Sequence, residues 1–458
     1  MKKVMNLFTL MMVASAFGIS IRNLPVIAKA ELHMFFFGIV AVICFYIPIA
    51  LTSAELATLF PKMGGIIIWV KEAFGKKLGF FAIWLQWSYM NIGIISMLYF
   101  VAGTVSYLID PALVNNKLFL IIVTQTVVWT FTFFNLKGLK LSSKISKYGF
   151  LIGVFFPAIL LIVFGTFHYF TSNTFNIDLT FKKENLLPDF SNFSSLVILV
   201  GFMRAFGGIE VSAVHANNVE NPKRNYPIAI LFVAFLCFFI NIVGSLSLSF
   251  VTVPFNISLI GGVMNGFYVY LNNYNLAFFI PVIVICIALG QMGQISTWLS
   301  GPINGIYEAT LEMHSDHYFT KLNKNNVPSN LMILQSLLIT FISISFLVFN
   351  KNVNMAFWIS TALAMMVYFT MYFLMLLSCL YLRYKKPDME RRFKIPFKNY
   401  GIWFISILGM ASILFSYFIA INPPIQIEGF YKQNYQLILL FCILFIYICP
   451  FIISKEKL

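Results

Sequence analysis

Apolar runs of about 20 residues, the length a bilayer core demands, recur along most of this chain and constrain it more than any motif does. They fall near 5–28, 34–59, 80–109, 118–135, 148–171, 194–216, 226–252, 275–300, 330–350, 355–384, 401–421 and 435–454. Backbone in hydrocarbon must satisfy its own polar groups, so runs this long read as helices. With 60% hydrophobic and only 10% charged residues over 458 positions, the composition excludes an ordinary soluble enzyme. The expectation is an all-α polytopic membrane protein of about twelve transmembrane helices. The longest stretches between runs, Thr171–Phe190, His314–Pro328 and Tyr384–Tyr400, are too short to carry a folded domain. The first run is too long, and lacks the small-residue cleavage pattern, for a removable signal peptide.

A formal charge of +15 raises the question of a nucleic-acid partner, and its distribution answers against one. With the N-terminus placed inside, the cytoplasmic segments hold Lys2, Lys3, Lys62, Lys71, Lys76, Lys77, Lys137, Lys140, Lys144, Lys147, Lys223, Arg224, Lys321 and Lys324, the cluster from Arg383 to Lys398, and Lys455 and Lys457. The other side keeps Lys29, Lys117, Lys182, Lys183, Lys351 and Lys432. This is the positive-inside pattern, with both termini cytoplasmic. The six cysteines all lie inside candidate spans and read as small packing residues, not as disulfides or metal ligands. No cofactor motif stands out.

Two runs are interrupted. The first breaks at Phe17-Gly18-Ile19-Ser20 and the sixth at Phe206-Gly207-Gly208-Ile209-Glu210. Breaks at corresponding places five runs apart point to a five-plus-five inverted repeat, with 1–171 and 190–384 as the halves and 401–454 as two appended helices of a single transporter domain. A broken membrane helix frees N–H groups that attract a carboxylate and C=O groups that attract an ammonium. The backbone at Gly18, Ile19, Ser20 and Ile21, facing Phe206, Gly207 and Gly208, therefore suits a zwitterionic amino acid. Glycine in membrane helices also serves close packing alone.

Glu210, an intramembrane carboxylate directly after the second break, is a candidate substrate ligand or protonatable group; the competing reading is an ion pair with Arg204. Arg22 fits both attraction of an acidic substrate and snorkelling to the interface. Arg204 lies too deep for snorkelling and is a partner for Glu210 or for an acidic side chain of the substrate. Tyr368 and Tyr372 share a helix face at i, i+4, and Trp298 lies one turn after Gln294. His33 and His215 each stand alone near a span end, and Asn192-Phe193-Ser194 matches a short glycosylation pattern.

Several longer stretches carry a resemblance: IPIALTSAELATLFPKMGGIIIWVKEAFG at Ile47–Gly75, MLYFVAGTVSYLI at Met97–Ile109, GGIEVSAVHANNVENPKRNYPIA at Gly207–Ala229, GQISTWLSGPINGIYEA at Gly293–Ala309, NNVPSNLMILQ at Asn325–Gln335 and RYKKPDMERRFKIP at Arg383–Pro396. Together they resemble the amino acid–polyamine–organocation permeases, and within them the bacterial glutamate/γ-aminobutyrate antiporters. The resemblance implies twelve helices in the fold of two inverted five-helix repeats, a bacterial inner-membrane location and exchange of amino acids, glutamate foremost. It implies substrate-path roles for Glu210, Trp298, Tyr368 and Tyr372.

Three departures stand beside it. Ile21-Arg22-Asn23-Leu24-Pro25 replaces an acidic, aromatic-rich segment, and Gln294 stands where a glutamate can precede the span-eight tryptophan. The last run is followed only by Ser454-Lys455-Glu456-Lys457-Leu458, which leaves no tail to plug the cytoplasmic mouth in neutral conditions. The expected function is amino acid antiport by alternating access. Proton-coupled uptake of glutamine or asparagine is the second reading, and a non-transporting amino acid sensor the third. No nucleophile–base or metal constellation suggests an enzyme.

Overall fold

The computed structural model describes residues 6–60, 65–138, 149–172, 174–191, 193–213, 219–313, 318–349, 353–423 and 430–453. Lys2, Lys3, Lys62, Lys140, Lys144, Lys147, Lys351, Lys455, Lys457, Asn192 and His215 lie outside these residues.

Among the described residues the regular structure is helical. The first half runs α1 (Leu7–Gly18), α2 (Leu24–Ala28), α3 (His33–Leu59), α4 (Ile66–Phe74), α5 (Lys76–Val105), α6 (Lys117–Leu136) and α7 (Leu151–Thr171). The second half runs α8 (Ile198–Ala205), α9 (Ile209–Ala213), α10 (Pro222–Val251), α11 (Gly262–Asn273), α12 (Ile280–Met313), α13 (Ser329–Phe349) and α14 (Val353–Lys385). Helices α15 (Lys398–Ala420) and α16 (Phe430–Ile453) follow. Ten helices among the described residues are long and apolar enough to cross a bilayer, and they coincide with ten of the expected runs. The described parts of the other two runs, 6–28 and 194–213, form shorter helices.

Two of the long helices widen into a π turn, at Ala41–Tyr46 in α3 and Leu151–Phe155 in α7. Each widening sits just before a proline, Pro48 and Pro157. A proline ring clashes with the preceding turn and offers no N–H, and a wider turn accommodates both defects without ending the helix.

The centre of the molecule is α5, which packs most extensively against α12 and α14. The most apolar window of α5 is 83% buried and that of α14 78%, against 22% for α16. That contrast separates interior helices from those that offer Phe404, Phe418, Phe441 and Phe445 to lipid. Polar side chains inside the bundle pair across helices, as hydrocarbon requires. The Trp87 indole donates to Gln335 at 2.7 Å, and Asn135 and Ser296 exchange two hydrogen bonds of 3.1 Å.

A second polar knot ties the end of α3 to the end of α14. The Glu55 carboxylate, 1% exposed, accepts from Arg383 at 2.6 Å and from the Ile395 N–H at 2.8 Å, and Arg391 lies within ion-pair distance at 3.3 Å. The segment after α14 is thereby bound to α3, and burial lowers the Arg391 pKa from its ordinary value.

The interrupted pieces pack on each other crosswise. Helix α1 lies against α9, while α2 and the turn before it lie against α8. The first piece of one segment thus meets the second piece of the other, as in an antiparallel pair.

Candidate functional site

The first interruption begins where α1 ends at Gly18. Ile19 and Ser20 are extended, with ψ of 127° and 128°, before a 3-10 turn at Ile21–Asn23 leads into α2. Pro25 stands in the first turn of α2, where its missing N–H costs nothing. The Ile19 N–H closes α1 on the Ser15 carbonyl at 2.9 Å. The N–H groups of Ser20 and Ile21 make no hydrogen bond among the described residues. The opened backbone is held from α12: Gln294 donates to the Ile19 carbonyl at 3.2 Å, and Gln291 donates to the Ser20 hydroxyl at 3.4 Å and to Gln294 at 3.2 Å.

The second interruption follows α8. The N–H groups of Phe206 and Gly207 fold back onto the end of α8, and Gly208 then takes φ of 101°, a region open to glycine and costly for other residues. Helix α9 starts at Ile209, which puts Glu210 in its first turn. The Gly208 N–H donates to the Tyr372 hydroxyl at 2.9 Å. Tyr372 donates in turn to one oxygen of Glu210 at 2.7 Å, and Tyr368 donates to the other. The two tyrosines share a face of α14 because they are one turn apart. Glu210, 2% exposed, thus has both carboxylate oxygens bound by hydroxyls.

Arg22 and Arg204 are both buried, at 4% and 7% exposure. Arg22 does not snorkel to the interface: its guanidinium donates to Ser96 at 3.2 Å and to the Gly93 carbonyl at 3.4 Å. Arg204 is not the ion-pair partner of Glu210. It donates to Thr361 at 2.6 Å and to Ser96 at 2.5 Å, and its guanidinium lies 5.5 Å from the centre of the Phe357 ring.

Aromatic rings connect the two groups of charges. Tyr89 of α5 stacks on Tyr368 with ring centres 3.6 Å apart and planes 3° from parallel, and Trp298 lies 5.6 Å from Tyr89. Gly93 makes room for Trp298, since a Cβ there would stand 2.7 Å from the indole ring. A cavity of about 910 Å³, lined by Lys29, His33, Glu184, Asp189 and Trp358 among others, reaches α14 at the residue next to Phe357.

All the residues singled out in the sequence around the breaks and on α12 and α14 therefore gather in one region. Sequence reasoning missed Tyr89, Gly93, Ser96, Gln291 and Thr361. The first three follow one another at i, i+4 and i+7 on α5, a small polar stripe in an apolar run, and that spacing was the available signal.

Opened backbone, an enclosed carboxylate and two enclosed guanidiniums lie together between membrane helices, where charge and unpaired backbone are costly. The sequence profile of the amino acid permease family matches residues 5–448. The chain belongs to the amino acid permease family. An uncharacterised transporter of Legionella pneumophila is 35% identical to this permease, covering 93% of it and 91% of the relative. A glutamate/γ-aminobutyrate antiporter of Lactococcus lactis subsp. lactis is 31% identical, covering 99% of the permease and 91% of the relative. A probable agmatine/putrescine antiporter of the same organism is 24% identical over 92% and 88%. Family and fold together make this a multi-pass membrane permease, and they point to transport rather than catalysis.

Proposed function

We propose that this permease exchanges amino acids across the bacterial inner membrane by alternating access, with glutamate as the leading substrate and γ-aminobutyrate as its counter-substrate. Counting the two interrupted segments as spans gives twelve, arranged as inverted halves 1–171 and 190–384 with 401–454 appended and both termini cytoplasmic. The observation that carries this reading is the crosswise packing of the two interrupted segments around unwound backbone. The N–H groups of Ser20 and Ile21 receive the α-carboxylate, and carbonyls of the two breaks receive the amino group. Glu210 responds to substrate charge or carries a proton, and Trp298, Tyr368 and Tyr372 line and close the path, with Gln294 holding the first break open. The 31% identity to a glutamate/γ-aminobutyrate antiporter supports the choice of solutes.

The test is uptake of labelled glutamate into proteoliposomes preloaded with glutamate, γ-aminobutyrate, glutamine or nothing, at acidic and neutral pH. Uptake only into loaded vesicles is the expected result. Uptake into empty vesicles driven by a proton gradient means symport instead, and absence of glutamate flux under every condition refutes the substrate.

A further inference from the structure

Arg22 and Arg204 come from the two interrupted segments, and a single hydroxyl, that of Ser96, stands between their guanidiniums. Ser96 is itself engaged, donating to the Gly93 carbonyl at 2.8 Å. The other acceptors are neutral too: the Gly93 carbonyl and the Thr361 hydroxyl. Among the described residues no carboxylate lies within ion-pair distance of either arginine. The Nε of Arg22 is buried without a hydrogen-bond partner. The contrast lies within the same molecule, where buried Arg383 and Arg391 share Glu55. Two desolvated like charges side by side are unfavourable until an anion joins them. A guanidinium offers a planar fork matched to a carboxylate.

We propose that Arg22 and Arg204 form a clamp for the distal carboxylate of the substrate, the group that glutamate and γ-aminobutyrate have in common. The clamp rests on the exchange reading above and adds a division of labour to it. Removing the α-carboxylate from glutamate leaves γ-aminobutyrate, which keeps the distal carboxylate and an amine at the same separation. Removing the distal carboxylate instead leaves 2-aminobutyrate. The clamp holds what both exchange partners carry, while the Ser20 and Ile21 N–H groups meet the α-carboxylate of glutamate alone. One site thereby accepts both solutes, and recognition fails for amino acids that end in an alkyl group.

The experiment measures ligand-dependent thermal stabilisation of the purified permease in detergent with glutamate, γ-aminobutyrate, glutamine and 2-aminobutyrate, beside the uptake assay. Wild-type protein is expected to be stabilised by glutamate and γ-aminobutyrate and not by 2-aminobutyrate. Arg204→Gln and Arg22→Gln are expected to weaken apparent affinity for the first two by about tenfold or more, and Arg204→Lys by less. Equal stabilisation by 2-aminobutyrate and γ-aminobutyrate, or no stabilisation by any of the four, overturns the clamp without reference to any variant. So does unchanged glutamate affinity in a folded Arg204→Gln protein. Stabilisation by carboxylates with no flux in any vesicle keeps the clamp and refutes the exchange reading.

Discussion

Arg22 and Arg204 donate to the same hydroxyl, that of Ser96, at 3.2 Å and 2.5 Å. One arginine comes from each interrupted segment, and the acceptor belongs to α5, the most central helix. Ser96→Ala is expected to leave buried guanidinium N–H groups without an acceptor and to destabilise the permease by about 1–3 kcal/mol. Thermal unfolding in detergent measures this; an unchanged melting temperature shows that the hydroxyl is not the acceptor that matters.

Glu210→Ala is expected to abolish transport while the protein still inserts and folds, because it removes the carboxylate that Tyr368 and Tyr372 address. Tyr372→Phe is the milder companion, leaving Glu210 one hydroxyl and freeing the Gly208 N–H. Its transport rate is expected to fall by roughly tenfold, the worth of one buried charge-assisted hydrogen bond. Wild-type flux by Glu210→Ala in vesicles removes this residue from the mechanism.

Glu55→Ala acts on the knot between α3 and the segment after α14. It strands Arg383 and Arg391 in a buried environment and is expected to cost about 3–5 kcal/mol of stability. Glu72→Ala is the control, since Glu72 and Lys386 form a partly exposed ion pair worth about 1 kcal/mol or less. The two melting temperatures must differ clearly, in that order.

Gly93→Ala is expected to push Trp298 off its seat against Tyr89, since the added methyl meets the indole at 2.7 Å. Overpacking of this kind costs about 1–3 kcal/mol. The sharper readout is tryptophan fluorescence together with the half-saturating glutamate concentration, both of which should shift; neither moving means the ring had room.

The segment after α7 carries a pH prediction. Asp178 accepts from the Thr180 N–H at 2.9 Å and from the Asn185 amide at 3.0 Å, and these bonds hold its carboxyl below the ordinary carboxylate value. A depressed carboxyl stabilises the turn above its unfolded pKa, and that contribution is lost only as pH falls through the lower, folded value. The turn is expected to keep its hydrogen-exchange protection through mild acid. Loss of protection already at pH values above about 4, the ordinary aspartate range, contradicts this.

The ten long helices were legible because hydrophobic length is a local quantity, readable one window at a time. The helix ends at Gly18 and just before Gly207-Gly208 carry a related local signal, since glycine next to polar residues weakens a membrane helix where it stands. The residues on α5 were not. Tyr89 earns its place by stacking on Tyr368, and Ser96 by lying between two arginines; their spacing with Gly93 marks a shared face of α5 but does not name either partner.

The sequence by itself determined that this chain lives in a membrane and that Arg204 and Glu210 must be dealt with inside it, while the buried Glu55 and its arginines went unmarked. Tertiary structure alone decided how they are dealt with. Arg204 and Glu210, close in sequence on either side of one break, look like natural partners, yet Glu210 binds two tyrosines of α14 and Arg204 meets Ser96 and Thr361. Six positions apart, they fall outside the i, i+3 and i, i+4 spacings that pair side chains on a helix, and the break between them ends one helix and starts another. Partners are then chosen by the helices packed alongside, and Arg22 finds Ser96 across 74 positions of chain.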